Sequence, residues 1–205
     1  MGRHLGSKHR ICRRVGEAIC GSLKCPVHKK AYPPGEHGGR RRQRKLSEFG
    51  VMMIEKQKLR FMYGLLEKQF RRYFQKAAKM PGKTGDNLLM LIETRLDNLV
   101  FRAGFAPTVV AARQMVRHGH FTVGKRKMDI PSYQVKPNQV VQLKDKSRSK
   151  PVYKDYIEEA KDKLPVQPYM KTNFDNLEFQ VTHLPVREEI PVSIKEQLIV
   201  EYYSK

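Results

Sequence analysis

One histidine and three cysteines stand close together near the amino terminus, as His9-x2-Cys12-x7-Cys20-x4-Cys25. An imidazole and three thiolates supply the four soft or borderline donors that tetrahedral zinc takes, and a site with all four positions filled is structural rather than catalytic. In a segment with few large apolar residues, one such ion would fix the chain where hydrophobic burial cannot, with its affinity coupled to folding. His28, three residues past Cys25, is a rival fourth ligand. The three cysteines cannot close a disulfide framework, because their count is odd and nothing marks the chain as secreted. Metal or reduced thiols remain.

The second chemistry is cationic. Arg113 and Arg117 lie four residues apart and share one helix face, next to His118, Gly119, His120 and Lys125. Guanidinium groups grip phosphates bidentately, Gly119 permits close backbone approach and Lys125 continues the track, a combination suited to folded RNA recognised by shape and backbone. Arg71 and Arg72 fall on the basic side of an amphipathic helix, and Arg40, Arg41, Arg42, Arg44 and Lys45 form a dense run. Tyr32, His37 and Tyr133 are rings able to stack on unpaired bases. No phosphate-loop pattern, Ser-His-Asp layout or paired-carboxylate pocket can be read from the chain, so no enzymatic activity is expected.

These residues are spread over 205 positions in which 41 Lys and Arg outnumber 20 Asp and Glu, leaving a net charge of +21. An excess of that size calls for a polyanion as partner. Residues 1–45 hold thirteen cations against two acids, whereas residues 175–205 hold three against six. No run approaches the length of a membrane span, and the basic arm has no periodic apolar face to lie on lipid. A soluble intracellular chain is expected, without membrane partners.

Elements that could position the cationic groups follow from periodicity. Residues 29–45 are too rich in Pro, Gly and charge to fold alone and are expected to order on a partner. Ser47 starts a helix with a stripe of Phe49, Met52, Met53, Leu59 and Tyr63, interrupted at Lys56 and ended near Gly64. Leu66, Phe70, Tyr73, Phe74 and Ala77 mark a second, basic helix. Asp86 caps a long helix whose stripe runs from Leu88 to Ala103, and Thr108 caps a shorter one to Gly119. Met52, Met53, Met62, Met90 and Met115 read as core fillers. The period then changes: His120 to Val123 and Arg126 to Ile130 flank a Gly124-Lys125 hairpin, and Gln139 to Leu143 is a further strand. Residues 151–162 read as a polar helix, with short strands near 168–171 and 177–181. Ser193 caps a final helix that should dock rather than float.

Met1-Gly2-Arg3, Tyr32-Pro33-Pro34-Gly35-Glu36-His37-Gly38, Glu55-Lys56-Gln57-Lys58-Leu59-Arg60, Arg95-Leu96-Asp97-Asn98, Val116-Arg117-His118-Gly119-His120 and the stretch from Glu196 to Ser204 together resemble the bacterial small-subunit ribosomal protein four family. The resemblance spans nearly the whole chain. It implies an α+β fold in three parts: a basic extended arm with a zinc knot (1–45), a helical domain completed by the returning carboxyl-terminal helix (46–93 plus 190–205), and an inserted small α/β RNA-binding domain (94–189). Zinc-bearing relatives use four cysteines at similar positions, and this chain departs by placing His9 first. Arg3 and Lys58, in family-like segments, join the RNA-contacting set.

The resemblance implies a primary binder of small-subunit ribosomal RNA that clamps a helix junction early in assembly. It further implies neighbouring ribosomal proteins, a place near mRNA where it enters the ribosome, influence on decoding accuracy, and residence in the cytoplasm. Arg95-Leu96-Asp97 also resembles the catalytic triplet of pseudouridine synthases that carry the same kind of small domain. An RNA-modifying enzyme is therefore one alternative and a free RNA-binding regulator another. Inside an apolar-striped helix, however, Asp97 pairs more simply with Arg95 or Arg102.

Overall fold

The computed structural model describes residues 6–20, 24–39, 46–148, 153, 155, 156, 158 and 167–204. In chain order its elements are α1 (Lys8–Val15), a 3-10 turn (Pro26–His28), α2 (Glu48–Met62), α3 (Glu67–Ala78), α4 (Thr84–Glu93), α5 (Leu96–Arg102) and α6 (Val109–Arg117). Then come β1 (Phe121–Val123), β2 (Arg126–Met128), β3 (Val140–Leu143), α7 (Asp145–Arg148), β4 (Met170–Asn173), β5 (Glu178–Val181), a 3-10 turn (Arg187–Glu189) and α8 (Glu196–Ser204). Two compact units divide the chain: Met1–Gln75 with Ser193–Lys205, and Lys76–Val192. Residues 76–93, grouped with the helical domain on sequence, fall in the second unit.

In the first unit the Ser47 hydroxyl accepts the Gly50 amide at 3.2 Å and starts α2, as its type and position predict. Met52, Leu59, Tyr63, Leu65, Phe70, Ile194 and Ile199 are buried, and α8 packs along α2. Met53 departs from its expected core role and is exposed. Lys56, which breaks the apolar stripe in the sequence, is nevertheless buried. Its ammonium lies 3.0 Å from both Glu67 carboxylate oxygens and 4.7 Å from the Tyr202 ring centre, so the charge is neutralised on the spot.

The Tyr203 hydroxyl donates to the same carboxylate at 2.7 Å while its ring stacks on Phe74. Burial pushes the Glu67 carboxyl up, but the Tyr203 hydroxyl, Lys56 and Arg60 outweigh it and hold it below the ordinary range. A depressed folded-state pKa contributes stability that is complete above the unfolded-state pKa and is lost as pH falls through the folded-state value. Tyr203→Phe is accordingly expected to lower the thermal midpoint most at neutral pH, with the gap from wild type closing under strong acid. A gap independent of pH would disprove the linkage.

The second unit is built on a five-stranded antiparallel sheet in the order β2-β1-β3-β5-β4. Phe121 and Val123, Val141 and Leu143, and Phe179 and Val181 alternate inward with period two. They meet Leu96, Leu99, Val100, Phe105, Val116 and Tyr169 in one core. The Gly124-Lys125 hairpin and the Thr108 cap, whose hydroxyl accepts the Ala111 amide at 3.1 Å, stand where the sequence puts them. Residues 151–162, read as a polar helix, lie largely outside the described residues.

The long helix expected through Ala103 is two helices. Helix α4 ends at Glu93, the Thr94 hydroxyl donates back to the Met90 carbonyl at 2.9 Å, and Arg95 turns extended to bridge Gln134. Backbone groups of residues 131–135 take over the helix bonds at the break: the Leu96 amide donates to the Tyr133 carbonyl at 2.8 Å and the Val135 amide to the Thr94 carbonyl at 3.0 Å. An apolar stripe cannot register such a break, because both helices keep their inner faces. Asp86 is not the cap either; the helix begins at Thr84 after Lys83, which places Asp86 in its first turn.

Candidate metal centre and nucleic-acid interface

Helix α1 places His9 and Cys12 one turn apart on one face. Gly16 ends it in the left-handed region (φ 86°), its amide donating to the Cys12 carbonyl at 2.8 Å, and so turns the chain back toward Cys20. Cys25 precedes the turn at Pro26. One ligand atom from each of His9, Cys12, Cys20 and Cys25 falls within 4.8 Å of the others. His9 Nδ1 lies 3.8 Å from Cys20 Sγ and 3.6 Å from Cys25 Sγ. A zinc tetrahedron with ordinary bond lengths has edges of about 3.8 Å between sulfurs and about 3.6 Å from nitrogen to sulfur.

Cys12 and Cys25 are buried with Val27 in a small cluster flanked by Ala18 and Ile19. Burial, reinforced by the neighbouring Cys20 and Cys25 thiols, pushes the Cys12 thiol up to about 12. A thiol so placed stays neutral until a cation compensates it, and the four side chains together are compatible with a metal site. His28, the rival ligand, is exposed and outside this group.

The arm beyond the knot is held by Arg13. Its Nε and one Nη donate to the Tyr32 and Pro33 carbonyls at 3.1 Å, and its guanidinium lies 4.7 Å from the Tyr32 ring centre. A Cβ at Gly38 would collide with the Pro33 carbonyl, so this loop requires glycine there. Tyr32 and His37 are exposed. Arg3, Arg40, Arg41, Arg42, Arg44 and Lys45 lie outside the described residues. Arg71 and Arg72 are exposed on α3.

Lys58 is a correction: it is buried, 2.6 Å from Glu17, because its stem lies on the inner side of α2. Glu17 was not singled out from sequence, although it is one of only two acids in the arm and sits between Cys12 and Cys20.

In the second unit Arg117, His118 and Lys125 are exposed at the end of α6 and the hairpin tip. Lys127, not singled out from sequence, is exposed on β2 with its side chain against Gly119, just past the end of α6. His120 is half-buried, its Nδ1 2.9 Å from the Ser147 hydroxyl and its ring against Tyr153.

Arg113, expected to face outward with Arg117, turns inward instead. Its Nε forms an ion pair at 3.1 Å with Asp97, a carboxylate that takes hydrogen bonds from Arg95 Nε (3.0 Å) and Nη2 (2.8 Å). A buried acid draws the cation in, which spacing on the helix alone could not show. Tyr133 packs against the core, with its hydroxyl bonded to Gln139, rather than standing free to stack.

Two family models match the chain in succession over residues 3–141. The ribosomal protein S4/S9 N-terminal domain matches residues 3–93 and the S4 domain matches residues 94–141, which defines the class as S4-domain ribosomal proteins. The chain is 50% identical to small ribosomal subunit protein uS4 of Brevibacillus brevis over 205 residues, with both chains fully covered. It is 48% identical to the protein of that name in Parabacteroides distasonis over 205 residues and 45% to that in Persephonella marina over 206, again over the whole of both chains. The chain belongs to the small ribosomal subunit protein uS4 family. That family is structural rather than enzymatic, so the modifying-enzyme alternative falls away.

Proposed function

We propose that this chain is a structural constituent of the small ribosomal subunit that binds small-subunit ribosomal RNA through exposed basic faces and remains bound. The observation that carries this is the exposure of Arg117, His118, Lys125 and Lys127 at the end of α6 and on the β1–β2 hairpin, read here as one basic edge, in a chain of net charge +21. Arg71 and Arg72 supply a second basic face, and the charges of Arg40 to Lys45 add to the attraction for phosphate. Such a binder clamps a helix junction and nucleates assembly. Neighbouring ribosomal proteins, mRNA near its point of entry and the accuracy of decoding belong to the same reading, as does residence on cytoplasmic ribosomes. Among the described residues no helix is long and apolar enough to cross a membrane.

His9 Nδ1 and the Cys12, Cys20 and Cys25 thiolates hold a structural zinc ion in this reading. The ion supplies a cross-link where the arm has little core.

Arg117→Glu and Lys125→Glu are expected to weaken binding to ribosomal RNA fragments, and each lost phosphate contact flattens the slope of log K against log salt by about 0.7–0.9. Filter binding across a salt series reads this directly. An unaltered slope would return that edge to solvent. Sedimentation of cell extracts tests the constituent role: one copy per small subunit after a moderate salt wash is expected, and its absence there would favour a free regulator.

A further inference from the structure

We propose that the Glu17–Lys58 ion pair couples metal loading of the His9, Cys12, Cys20 and Cys25 cluster to the packing of α2, making Lys58 a positioning residue for a metal it never touches. The inference rests on the zinc reading above and adds a thermodynamic link between the knot and the helical unit. Three observations carry it.

The Lys58 side chain is 4% exposed, and Glu17 Oε2 lies 2.6 Å from its ammonium. No other ion pair of Lys58 is found among the described residues. An ammonium removed from water depends strongly on such a partner.

Glu17 is placed by the metal cluster itself. It follows Gly16, whose amide bonds the Cys12 carbonyl, and its own carbonyl accepts the Ile19 amide at 2.9 Å on the way into Cys20. Both ends of the short loop that presents the carboxylate are therefore metal-ligand positions.

Little else holds that loop. Helix α1 has eight residues, too few to persist alone, and among the described residues the cluster beneath it contains only Cys12, Cys25 and Val27 as buried apolar residues. An ion binding the four side chains closes the loop and raises the effective concentration of Glu17 at Lys58. By linkage, the factor by which metal strengthens the pair is the factor by which the pair strengthens metal binding.

The test uses the full chain and zinc ions. Zinc affinity is measured by competition with a chromophoric chelator for wild type, Glu17→Gln, Lys58→Met and the double variant, with Cys12→Ser as baseline. Lys58→Met keeps an apolar stem of similar length in the buried position, and circular dichroism confirms folding in each case. Each single substitution is expected to weaken zinc binding about tenfold, with the double no weaker than either single, because the pair acts as one unit. Amide exchange in α2 around Lys58 is expected to slow on zinc addition in wild type and to respond less in every variant. Equal zinc affinity in all four chains, or α2 exchange indifferent to zinc, would overturn the coupling while leaving the metal reading intact. Wild type binding zinc no better than Cys12→Ser would reject the metal reading, and the coupling with it.

Discussion

Asp97→Ala is expected to lower the unfolding free energy by about 3–5 kcal/mol, among the largest losses available to a single substitution in this chain. Asp97 and Arg95 are each 1% exposed. The carboxylate takes two bonds from Arg95, lies 3.1 Å from Arg113 Nε, and accepts the Asn98 amide at 3.0 Å in the first turn of α5. Truncation strands the buried guanidinium of Arg95 without its counterion and removes a favourable charge at a helix start. It also removes the Asp97 ion pair of Arg113, so the seating of α6 beneath the proposed RNA edge is disturbed. Urea unfolding measures the loss as a shift in midpoint at unchanged slope. The paired substitution Arg95→Met with Asp97→Leu separates causes: apolar residues of similar volume replace a buried ion pair at little cost, so most of the stability is expected to return. A loss below about 1 kcal/mol in Asp97→Ala would mean that Arg95 reaches water or another acid.

Local rules read much of this fold from the chain, and non-local charge is where they stop. The Gly124-Lys125 hairpin, the Ser47 and Thr108 caps and the inward alternation of Phe121 and Val123 depend on neighbours a few residues away, so type and spacing specify them. The convergence of His9, Cys12, Cys20 and Cys25 was legible for the same reason, because four donors within seventeen positions can meet with two short turns. The choice between His9 and His28 was not, since both lie three residues from a cysteine; only the shared face of α1 decides it.

Lys58 and Arg113 read as surface cations, and Lys56 as a break in the α2 stripe. Each is drawn inward by an acid distant in sequence or on another element: Glu67, Glu17 and Asp97. A stripe of apolar residues reports which side of a helix is buried, but not that a long cationic stem crosses onto it to reach a carboxylate. The break at Thr94–Arg95 belongs with these cases, because it is imposed by residues 131–135 pairing with a segment almost forty positions earlier.

Removing zinc is expected to unfold the arm while sparing the sheet of the second unit. The knot spans His9 to Cys25, and its described apolar interior is three buried residues with Ala18, Ile19 and Cys20 around them. Burial on that scale contributes only a few kcal/mol at about 25 cal/mol per Å², too little to order some twenty residues at about 1–2 kcal/mol each. Zinc in comparable four-ligand sites contributes on the order of 10–16 kcal/mol, enough to decide the outcome. A strong chelator added to zinc-loaded chain is therefore expected to abolish amide protection in α1 and around Cys20 and Cys25. Protection in the sheet, whose core of Phe121, Val141, Tyr169 and Phe179 lies in the other unit, should survive. Because replacing even an outer-sphere partner of a metal typically costs 10–100-fold, loss of a direct ligand in Cys12→Ser is expected to weaken zinc by at least about 100-fold. His28→Ala should leave the affinity unchanged, since that ring is exposed and outside the cluster. Hydrogen exchange with and without chelator, together with zinc content per chain, reads all three results. Full protection of α1 in the chelated protein would show that the arm folds on its own contacts and that the four side chains converge for some other reason.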